Sequence, residues 1–316
     1  MLFKPERLPC NVHDMFGRDL PLVMELGFGN GSFLLDQARA NPGVNYLGAE
    51  RSLSSLTRAF RVLARSSLTN VRLYPGDGRF VLGSVLPPRS LSHLWINFPD
   101  PWPRRRHTSR RLMSSEFFEL LADRLVLDGT VSLTTDHQDY FDFARREGSA
   151  SGLFEERVTR PPTDTLRTRY AQKWAKRERS FYHVTFTLRK HGEPQPADVI
   201  LQEMQHAHLS GILPKVSTFE KSAFPLELGR PLDDGKIVLL DVFKALDNDG
   251  LVFLVLVEEG SLKQEILIEV ANKGEVYQAF VRKFGGPLPT KGIGRAMNVV
   301  VGWLQECGMK LEGTWY

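Results

Sequence analysis

Between Leu22 and Lys190 the chain alternates short apolar runs typical of β-strands with amphipathic stretches typical of helices. The strand candidates are Leu22–Leu26, Tyr46–Glu50, Val71–Tyr74, His93–Asn97, Thr130–Thr134 and Tyr182–Arg189. The helix candidates include Gly31–Ala40, Ser52–Arg65 and Ser114–Leu125. This alternation predicts a doubly wound, Rossmann-like α/β domain, because helical crossovers pack back onto a parallel sheet. No clear crossover helix precedes the last strand candidate, which indicates that this strand runs antiparallel.

Charge divides the chain into two parts. Residues 1–191 contain 29 Lys and Arg against 20 Asp and Glu, whereas residues 192–316 contain 12 against 17. The boundary falls in a polar segment, residues 191–196, that is punctuated by glycine and proline and reads as a linker. We therefore predict two domains, 1–191 and 192–316. The basic first domain suits a polyanionic partner, although surface charge also serves solvation.

The second half predicts a smaller α+β domain. A helix is expected at about Asp198–Leu209, and three strands follow at Lys236–Leu246, Leu251–Glu258 and Gln264–Ala271. The first two of these strands are joined by the segment Asp247–Gly250, a good hairpin signal. A final helix is expected at about Gly292–Glu306. The sequence of this acidic half indicates no function.

The cysteines and the hydropathy pattern set the expected location. Cys10 and Cys307 are the only cysteines and lie far apart, which fits neither a disulfide framework nor a zinc site. The chain has no run of about 18 uncharged apolar residues and no signal-peptide pattern at its start. We expect a cytoplasmic protein without a membrane span or a bound metal.

The strongest local signal is a glycine loop directly after the first strand candidate. Gly27, Gly29 and Gly31 alternate with other residues and let the backbone turn sharply and approach a ligand. A dinucleotide loop would place its third glycine where Ser32 stands. Glu25 opens the loop, and its carboxylate suits the ammonium and sulfonium of S-adenosylmethionine better than a pyrophosphate. A plain tight turn between strand and helix is the alternative.

Two further acids follow strand candidates. Glu50 ends the second strand, about 20 residues beyond the loop, where doubly wound folds hold the ribose hydroxyls. Asp77 stands between Gly76 and Gly78 after the third strand and could accept from an adenine amino group. One such acid is more often a helix cap than a ligand. Three at successive strand ends predict a nucleoside site, because those ends meet at one edge of the sheet.

A rigid turn follows the fourth strand. Pro99 and Pro101 flank Asp100 and restrict its neighbours, so its carboxylate is expected to be fixed beside the cofactor. Asn97, at the strand end, is expected to contact the cofactor as well, and Trp102 offers a flat face for a base. A turn with a purely structural role is the alternative interpretation of this proline-rich segment.

Basic residues follow the turn at once. Five arginines and a histidine are expected to bind RNA phosphates: Arg104, Arg105, Arg106, His107, Arg110 and Arg111. A second stretch, Arg167–Arg177, interleaves basic and aromatic residues, which suits phosphates and stacked bases. A solvated helical face is the alternative there. Asp136, after the fifth parallel strand, either contacts substrate or caps the next helix.

These motifs together resemble the bacterial tRNA (guanine-7)-methyltransferase family over roughly residues 10–190. The resemblance rests on the glycine loop, Glu50, Asp77, the Asn97–Trp102 turn and the basic run to Arg111. It implies that Glu25, Glu50 and Asp77 bind S-adenosylmethionine and that Asp100 is catalytic and lies against the cofactor. It further implies that Arg104, Asp136 and Thr168 contact the substrate. The basic run to Arg111 is implied to contact RNA.

The chain departs from the family pattern at one place. The family has glutamate three residues after the threonine that matches Thr168, and this chain has Ala171. Gln172 or a residue elsewhere could replace that carboxylate. Two other functions stay open: methylation of an exocyclic amino group of adenine or cytosine, which uses a related Asn/Asp-Pro-Pro-aromatic turn, and an RNA-binding module without activity.

Overall fold

The computed structural model describes residues 2–166, 180–197, 199–204, 206–218, 226–227, 235–246 and 249–315, without the side chains of residues 105, 226, 227 and 315. The chain forms two compact units, residues 1–196 and residues 197–316. No described helix combines the length and the apolar character needed to cross a membrane.

The first unit is built on a seven-stranded sheet. Its strands are β1 (Leu22–Leu26), β2 (Asn45–Glu50), β3 (Val71–Pro75), β4 (Leu91–Asn97), β5 (Leu125–Thr135), β6 (Phe154–Thr159) and β7 (Tyr182–Leu188). They lie in the order β3-β2-β1-β4-β5-β7-β6. Strands β1 to β5 pair in parallel, and β7 pairs antiparallel with both β5 and β6. The predicted doubly wound sheet and its antiparallel last strand are confirmed.

Strand β6 has no counterpart among the predicted strands. It is an edge strand, and five of its six residues carry charged or polar side chains or are exposed. An edge strand buries little apolar surface, so the alternation that signals a half-buried strand is weak in its sequence.

Helices cover both faces of this sheet. They are α1 (Val12–Phe16), α2 (Ser32–Ala40), α3 (Leu53–Ala64), α4 (Gly78–Phe80), α5 (Ser115–Arg124), α6 (Gln138–Ser151) and α7 (Thr163–Leu166). A π-helical turn continues α4 over Val81–Val85, and a 3-10 helix spans Arg105–Arg110. Helices α2 and α3 bury Leu34, Ala38, Leu56, Ala59 and Leu63 in one cluster with residues of β1, β2 and β3. This packing fixes the loops at the carboxyl edge of the sheet.

The second unit contains a mostly antiparallel sheet and a helix. Its strands are β8 (His206–Ser210), β9 (Leu226–Glu227), β10 (Gly235–Lys244), β11 (Leu251–Glu259), β12 (Leu262–Asn272), β13 (Tyr277–Val281) and β14 (Lys310–Trp315), and its helix is α8 (Lys291–Glu306). The order is β14-β8-β13-β12-β11-β10-β9. The expected α+β class, three predicted strands and the final helix are confirmed. The hairpin residues 247–248 lie outside the described residues.

The helix expected at about Asp198–Leu209 is wrong. Residues 206–210 form β8, which pairs with β13 and β14. Ala207 and Leu209 are buried in the core of the unit, whereas His206 and His208 are half-buried on the other face of the strand. This two-residue period extends over only five residues, too few to outweigh a helical pattern in the sequence.

Candidate functional site

The glycine loop lies between β1 and α2 at the carboxyl edge of the first sheet. Gly27, Gly29 and Gly31 have φ angles of 75°, 57° and 76°, a conformation that favours glycine. At Gly31 a Cβ atom would stand 2.7 Å from the Cβ of Ala59 on α3. Glycine therefore allows both the turn and the close packing of the loop against α3.

Glu25 is buried at the end of β1, with 2% of its surface exposed. The side-chain Nδ2 of Asn97, at the end of the neighbouring strand β4, donates to Oε1 of Glu25 over 3.1 Å. Oε2 is also buried, and no described residue is its hydrogen-bond partner. Burial raises the pKa of Glu25 to about 7; the hydrogen bond from Asn97 opposes this rise, and the charge of Glu50 adds to it. The site thus presents a buried acceptor that a cation would satisfy.

Glu50 ties the glycine loop to the beginning of α3. Its Oε2 accepts a hydrogen bond from the backbone N–H of Gly29 over 2.8 Å. Its Oε1 accepts from the N–H of Ser52 over 2.7 Å. Both bonds orient the carboxylate at the loop, and each carboxylate oxygen has a second lone pair for a ligand. The predicted ribose position and a structural role therefore coexist in one residue.

Asp77 follows β3 and serves as the N-cap of α4. Its Oδ1 accepts from the backbone N–H of Arg79 over 2.8 Å, so the capping alternative is realised for one oxygen. Its Oδ2 lies 3.8 Å from Nη1 of Arg51, and the Asp77 side chain is one-third exposed. The second oxygen therefore does not take part in the cap, and Asp77 lies at the same edge of the sheet as Glu50.

These residues fit the chemistry of S-adenosylmethionine. The cofactor carries an ammonium and a sulfonium, and Glu25 places an unpartnered buried carboxylate oxygen between β1 and β4. The chain builds the sheet outward from β1, first through β2 and β3 on one side and then through β4 and β5 on the other. Ligands of open α/β sheets bind at such a switch point. Among the described residues no group of three or more His, Cys, Asp or Glu could hold a metal ion.

The turn after β4 holds Asp100 between two residues of unusual backbone conformation. Phe98 and Trp102 have φ angles of 54° and 44°, in the left-handed region that bulky residues rarely adopt. The N–H of Phe98 donates to the carbonyl of Thr134 on β5 over 2.8 Å. Asp100 itself is exposed. Strain of this kind persists only where the surroundings impose it, which is typical of functional turns.

Arg111 supplies part of that constraint and differs from the other arginines of the basic run. It is 8% exposed, and its Nε donates to the carbonyl of Pro101 over 3.1 Å. Its guanidinium lies over the rings of Tyr140 and Phe143, at 5.9 and 5.0 Å. Arg111 is also predicted to contact RNA; in this structure these contacts turn its charge into the protein and against the Asp100 turn, which favours a role in holding that turn.

The remaining basic residues stay at the surface. Arg104, Arg106 and Arg110 are exposed, and His107 is half-buried. Arg110 lies 5.1 Å above the ring of Trp102, and His107 meets the same ring edge-on at 6.0 Å. For Arg105 only the backbone, within the 3-10 helix, is described. The structure thus brings the expected phosphate ligands and the expected stacking residue together beside Asp100.

The other two predicted substrate residues are Asp136 and Thr168. Asp136 is half-buried directly after β5, and the N-cap position of α6 is His137, not Asp136. The helix begins one residue later than the capping alternative for Asp136 assumes. Thr168, Ala171 and the whole stretch Arg167–Arg177 lie outside the described residues.

A cavity of about 210 Å³ beside Asn97 brings together residues that the sequence did not single out. Its lining includes Phe33, Gln37, Trp95, Asn97, Ser132, Pro162, Asp164, Thr165 and His183. His183 on β7 shares a 2.9 Å hydrogen bond with the hydroxyl of Thr134 on β5, and burial lowers its pKa. The signal available in the sequence was polar residues at alternate positions near the ends of β5 and β7. A polar chamber whose lining includes the acid Asp164 therefore adjoins the Glu25–Asn97 pair.

Comparison with known proteins gives a consistent picture. A model of the family described as "Putative methyltransferase" matches residues 19–184. A protein of Thermus thermophilus named tRNA (guanine-N(7)-)-methyltransferase is 41% identical, with 98% of each chain covered. A protein of the same name from Deinococcus radiodurans is 35% identical, and the similarity covers 94% of this chain and 93% of that protein. Another from Thermotoga maritima is 32% identical, and the similarity covers 84% of each chain. The likeness therefore extends beyond residue 190, where the resemblance in sequence motifs was expected to end.

Proposed function

Because this chain belongs to the family of bacterial tRNA (guanine-N(7)-)-methyltransferases, we propose that it transfers the methyl group of S-adenosylmethionine to the 7-nitrogen of a guanine in tRNA. The observation that carries the proposal is similarity along nearly the full length of both chains to a relative of that name. The arrangement of Glu25, Glu50 and Asp77 at one edge of the sheet supports it chemically.

Binding of the methyl donor is assigned to the carboxyl edge of β1 to β4. Glu25 would receive the ammonium, Glu50 the ribose hydroxyls and Asp77 the adenine amino group. The glycine loop would bring backbone close to the ligand, and Asn97 would keep Glu25 oriented through the hydrogen bond to Oε1. When bound, S-adenosylmethionine supplies an electrophilic methyl group on its sulfonium.

The protein's task in the reaction is chiefly to position two reactants. The 7-nitrogen of guanine has a free lone pair and no proton, so no general base has to expose it. A near-attack geometry in a fixed site accounts for much of the rate of such a displacement. The turn that carries Asp100 is suited to this, because hydrogen bonds from Phe98 to Thr134 and from Arg111 to Pro101 fix both of its flanks.

Asp100 is assigned the electrostatic part of catalysis. Positive charge develops on the guanine as its nitrogen takes the methyl group, and a fixed carboxylate nearby stabilises that charge more in the transition state than in the ground state. The same carboxylate can accept from the donors of the guanine. Trp102 beside it would stack on a base, while Arg104, Arg106 and Arg110 would hold the neighbouring phosphates.

Identification of the methylated nucleoside tests the proposed function. The protein is incubated with S-adenosylmethionine and unmodified tRNA, and the tRNA is then digested to nucleosides and separated by mass spectrometry. We expect 7-methylguanosine as the product. A methyl group on an exocyclic amino group of adenosine or cytidine would establish the alternative reaction instead. Cofactor binding in calorimetry without any methylated product would identify a binding module.

A further inference from the structure

Helix α3 carries three arginines on the face that points away from the sheet. Leu56, Ala59 and Leu63 form the buried face of the helix. Arg58, Arg61 and Arg65, the last being the C-cap residue, are exposed. Spacings of three and four residues align side chains along one side of a helix. We call this row of Arg58, Arg61 and Arg65 the α3 stripe.

The α3 stripe has no acidic partner in the part of the chain that the structure describes. The segment 51–65 contains four arginines and no aspartate or glutamate. Elsewhere in the same unit exposed or half-buried arginines do pair with acids: Arg39 lies 2.6 Å from Asp36, Arg145 lies 2.5 Å from Glu156, and Arg189 lies 2.5 Å from Asp128. The stripe is therefore a surface of uncompensated positive charge.

The helix alone accounts for only part of this arrangement. Cations in the last turn of a helix interact favourably with its dipole, which applies to Arg61 and Arg65. Arg58 lies in the middle of the helix, where that interaction has faded. Like charges three and four residues apart destabilise a helix, so the row costs stability in the free protein. A ligand of opposite charge would reverse that cost.

We propose that the α3 stripe is a second phosphate-binding surface for the RNA substrate, separate from the basic run after β4. This inference rests on the proposed function. Ser52, the N-cap of α3, directly follows Glu50 and Arg51 in the chain, at the carboxyl edge of the sheet. From Ser52, Arg58 lies about 9 Å and Arg65 about 20 Å along the helix axis. The stripe thus extends from the site across the surface.

The two basic surfaces follow strands that lie on either side of β1 and its glycine loop. The α3 stripe follows β2 in sequence, the basic run follows β4, and β1 with its loop lies between these two strands. Adjacent strands are about 4.8 Å apart, so both surfaces are within reach of one folded RNA whose target base enters at Asp100. A backbone that carries phosphates on both sides of the reacting base has the chemistry that matches this pair of surfaces.

Substitution of the stripe, with a charge-matched control, tests the proposal. The stripe variant is Arg58→Gln/Arg61→Gln/Arg65→Gln. The control is Arg39→Gln/Arg145→Gln/Arg189→Gln, which removes the same charge from arginines that are paired with acids. Equilibrium binding of unmodified tRNA is measured by fluorescence anisotropy across a range of salt concentrations. Each lost phosphate contact should reduce the slope of log affinity against log salt by about 0.7–0.9.

We expect the stripe variant to lose about two slope units and on the order of tenfold in affinity at moderate salt, with little change in the control. Its affinity for S-adenosylmethionine and its single-turnover rate at saturating tRNA should stay within about twofold of the parent, since the site itself is intact. A variant with lysine at all three positions should retain most of the slope. This retention would show that charge, rather than a change in the helix, is responsible.

Two results would overturn the proposal. One is an unaltered salt slope and affinity in the stripe variant, and the other is an equal loss in the control. If the parent protein forms 7-methylguanosine, either result would make the stripe a solvated face and would leave the proposed function unaffected. Failure of the parent to methylate tRNA would reject the proposed function, and it would be detected by the nucleoside assay independently of the binding curves.

Discussion

Arg111 donates a hydrogen bond from Nε to the carbonyl oxygen of Pro101, over 3.1 Å, and so ties the end of the basic run back to the turn that carries Asp100. Its neighbour Arg110 points outward over Trp102. Two adjacent arginines thus serve different parts of the site, one holding the turn and the other exposed to solvent.

Replacement of Arg111 should therefore affect the reaction rather than RNA affinity. Arg111→Ala removes a buried donor and its contacts with Tyr140 and Phe143, which should cost about 1–3 kcal/mol of stability. A displaced Asp100 should slow single-turnover methylation by on the order of tenfold to a hundredfold. Arg110→Ala is the matched control, expected to weaken tRNA binding more than the rate at saturation. A changed salt slope for Arg111→Ala with an intact rate would return Arg111 to the RNA surface.

Asp100→Asn should keep the fold and much of the cofactor affinity while slowing methyl transfer. Asparagine is nearly isosteric with aspartate but carries no charge, so only the electrostatic stabilisation of the guanine is lost. Single-turnover transfer from S-adenosylmethionine to tRNA measures the effect, and calorimetry of cofactor binding serves as the control. Methylation at the parent rate would contradict the catalytic assignment.

Binding of S-adenosylmethionine should depend on pH through Glu25. The pKa of this buried carboxyl is about 7 in the free protein, so at lower pH it must lose a proton before it can pair with the ammonium. Affinity should rise by up to about tenfold per pH unit below pH 7 and level off above it. Glu25→Gln should bind more weakly and nearly independently of pH between about 5.5 and 7.5. A parallel pH dependence in parent and variant would exclude Glu25 as its source.

The same group should lower the stability of the unliganded protein as the pH rises. An unfolded glutamate ionises near pH 4.3. The folded one stays protonated to about pH 7. Between these values the unfolded state releases its proton first, so the free energy of unfolding should fall by about 3–4 kcal/mol and then remain level. Glu25→Gln should remove that fall in denaturant titrations at several pH values.

The arginines of the basic run after the Asp100 turn should supply phosphate contacts. Replacing Arg105, Arg106 and Arg110 by alanine should reduce the slope of log affinity against log salt by up to about two to three units. Cofactor affinity should hardly change, because Glu25, Glu50 and Asp77 are untouched. An unaltered slope in tRNA titrations would mean that this run is only a solvated face.

The acidic half of the chain, residues 192–316, is expected to bind tRNA poorly by itself. Residues 192–316 contain 12 basic against 17 acidic residues, a net charge of −5. The described part of the unit has its own core, in which α8 packs on the strands through residues such as Ile293, Met297 and Leu304. Residues 192–316 should therefore be purified alone and titrated with tRNA at moderate salt. Micromolar or tighter binding would make this unit an RNA-recruiting domain, and Arg282, Lys283, Lys291 and Arg295 would be the residues to examine first.

Much of the fold and of the cofactor edge follows from the sequence because the signals are local. Apolar runs, amphipathic stretches and glycine punctuation identify the parallel strands β1 to β5 and the helices α2 and α3. Glu25, Glu50, Asp77 and Asn97 each stand at or just after a strand end. Parallel strands in one sheet bring those ends to the same edge, so their proximity could be predicted without coordinates.

Other features depend on contacts between residues far apart in the chain. Arg110 and Arg111 are equivalent in the sequence, and only packing against Tyr140 and Phe143, about 30 residues later, buries the second. The exposed edge strand β6 and the short strand β8 take their structure from neighbouring strands rather than from their own pattern.

The sequence by itself determined which residues reach the carboxyl edge of the first sheet, since the hydrophobic period and the glycine and proline positions are properties of neighbours in the chain. The tertiary structure decided the electrostatic state of those residues. Glu25 titrates near neutral pH because the sheet buries it, and the α3 stripe is uncompensated because no described acid lies beside it. Burial and charge pairing are set by what packs against a side chain from elsewhere in the chain, and that information is absent from any local stretch of sequence.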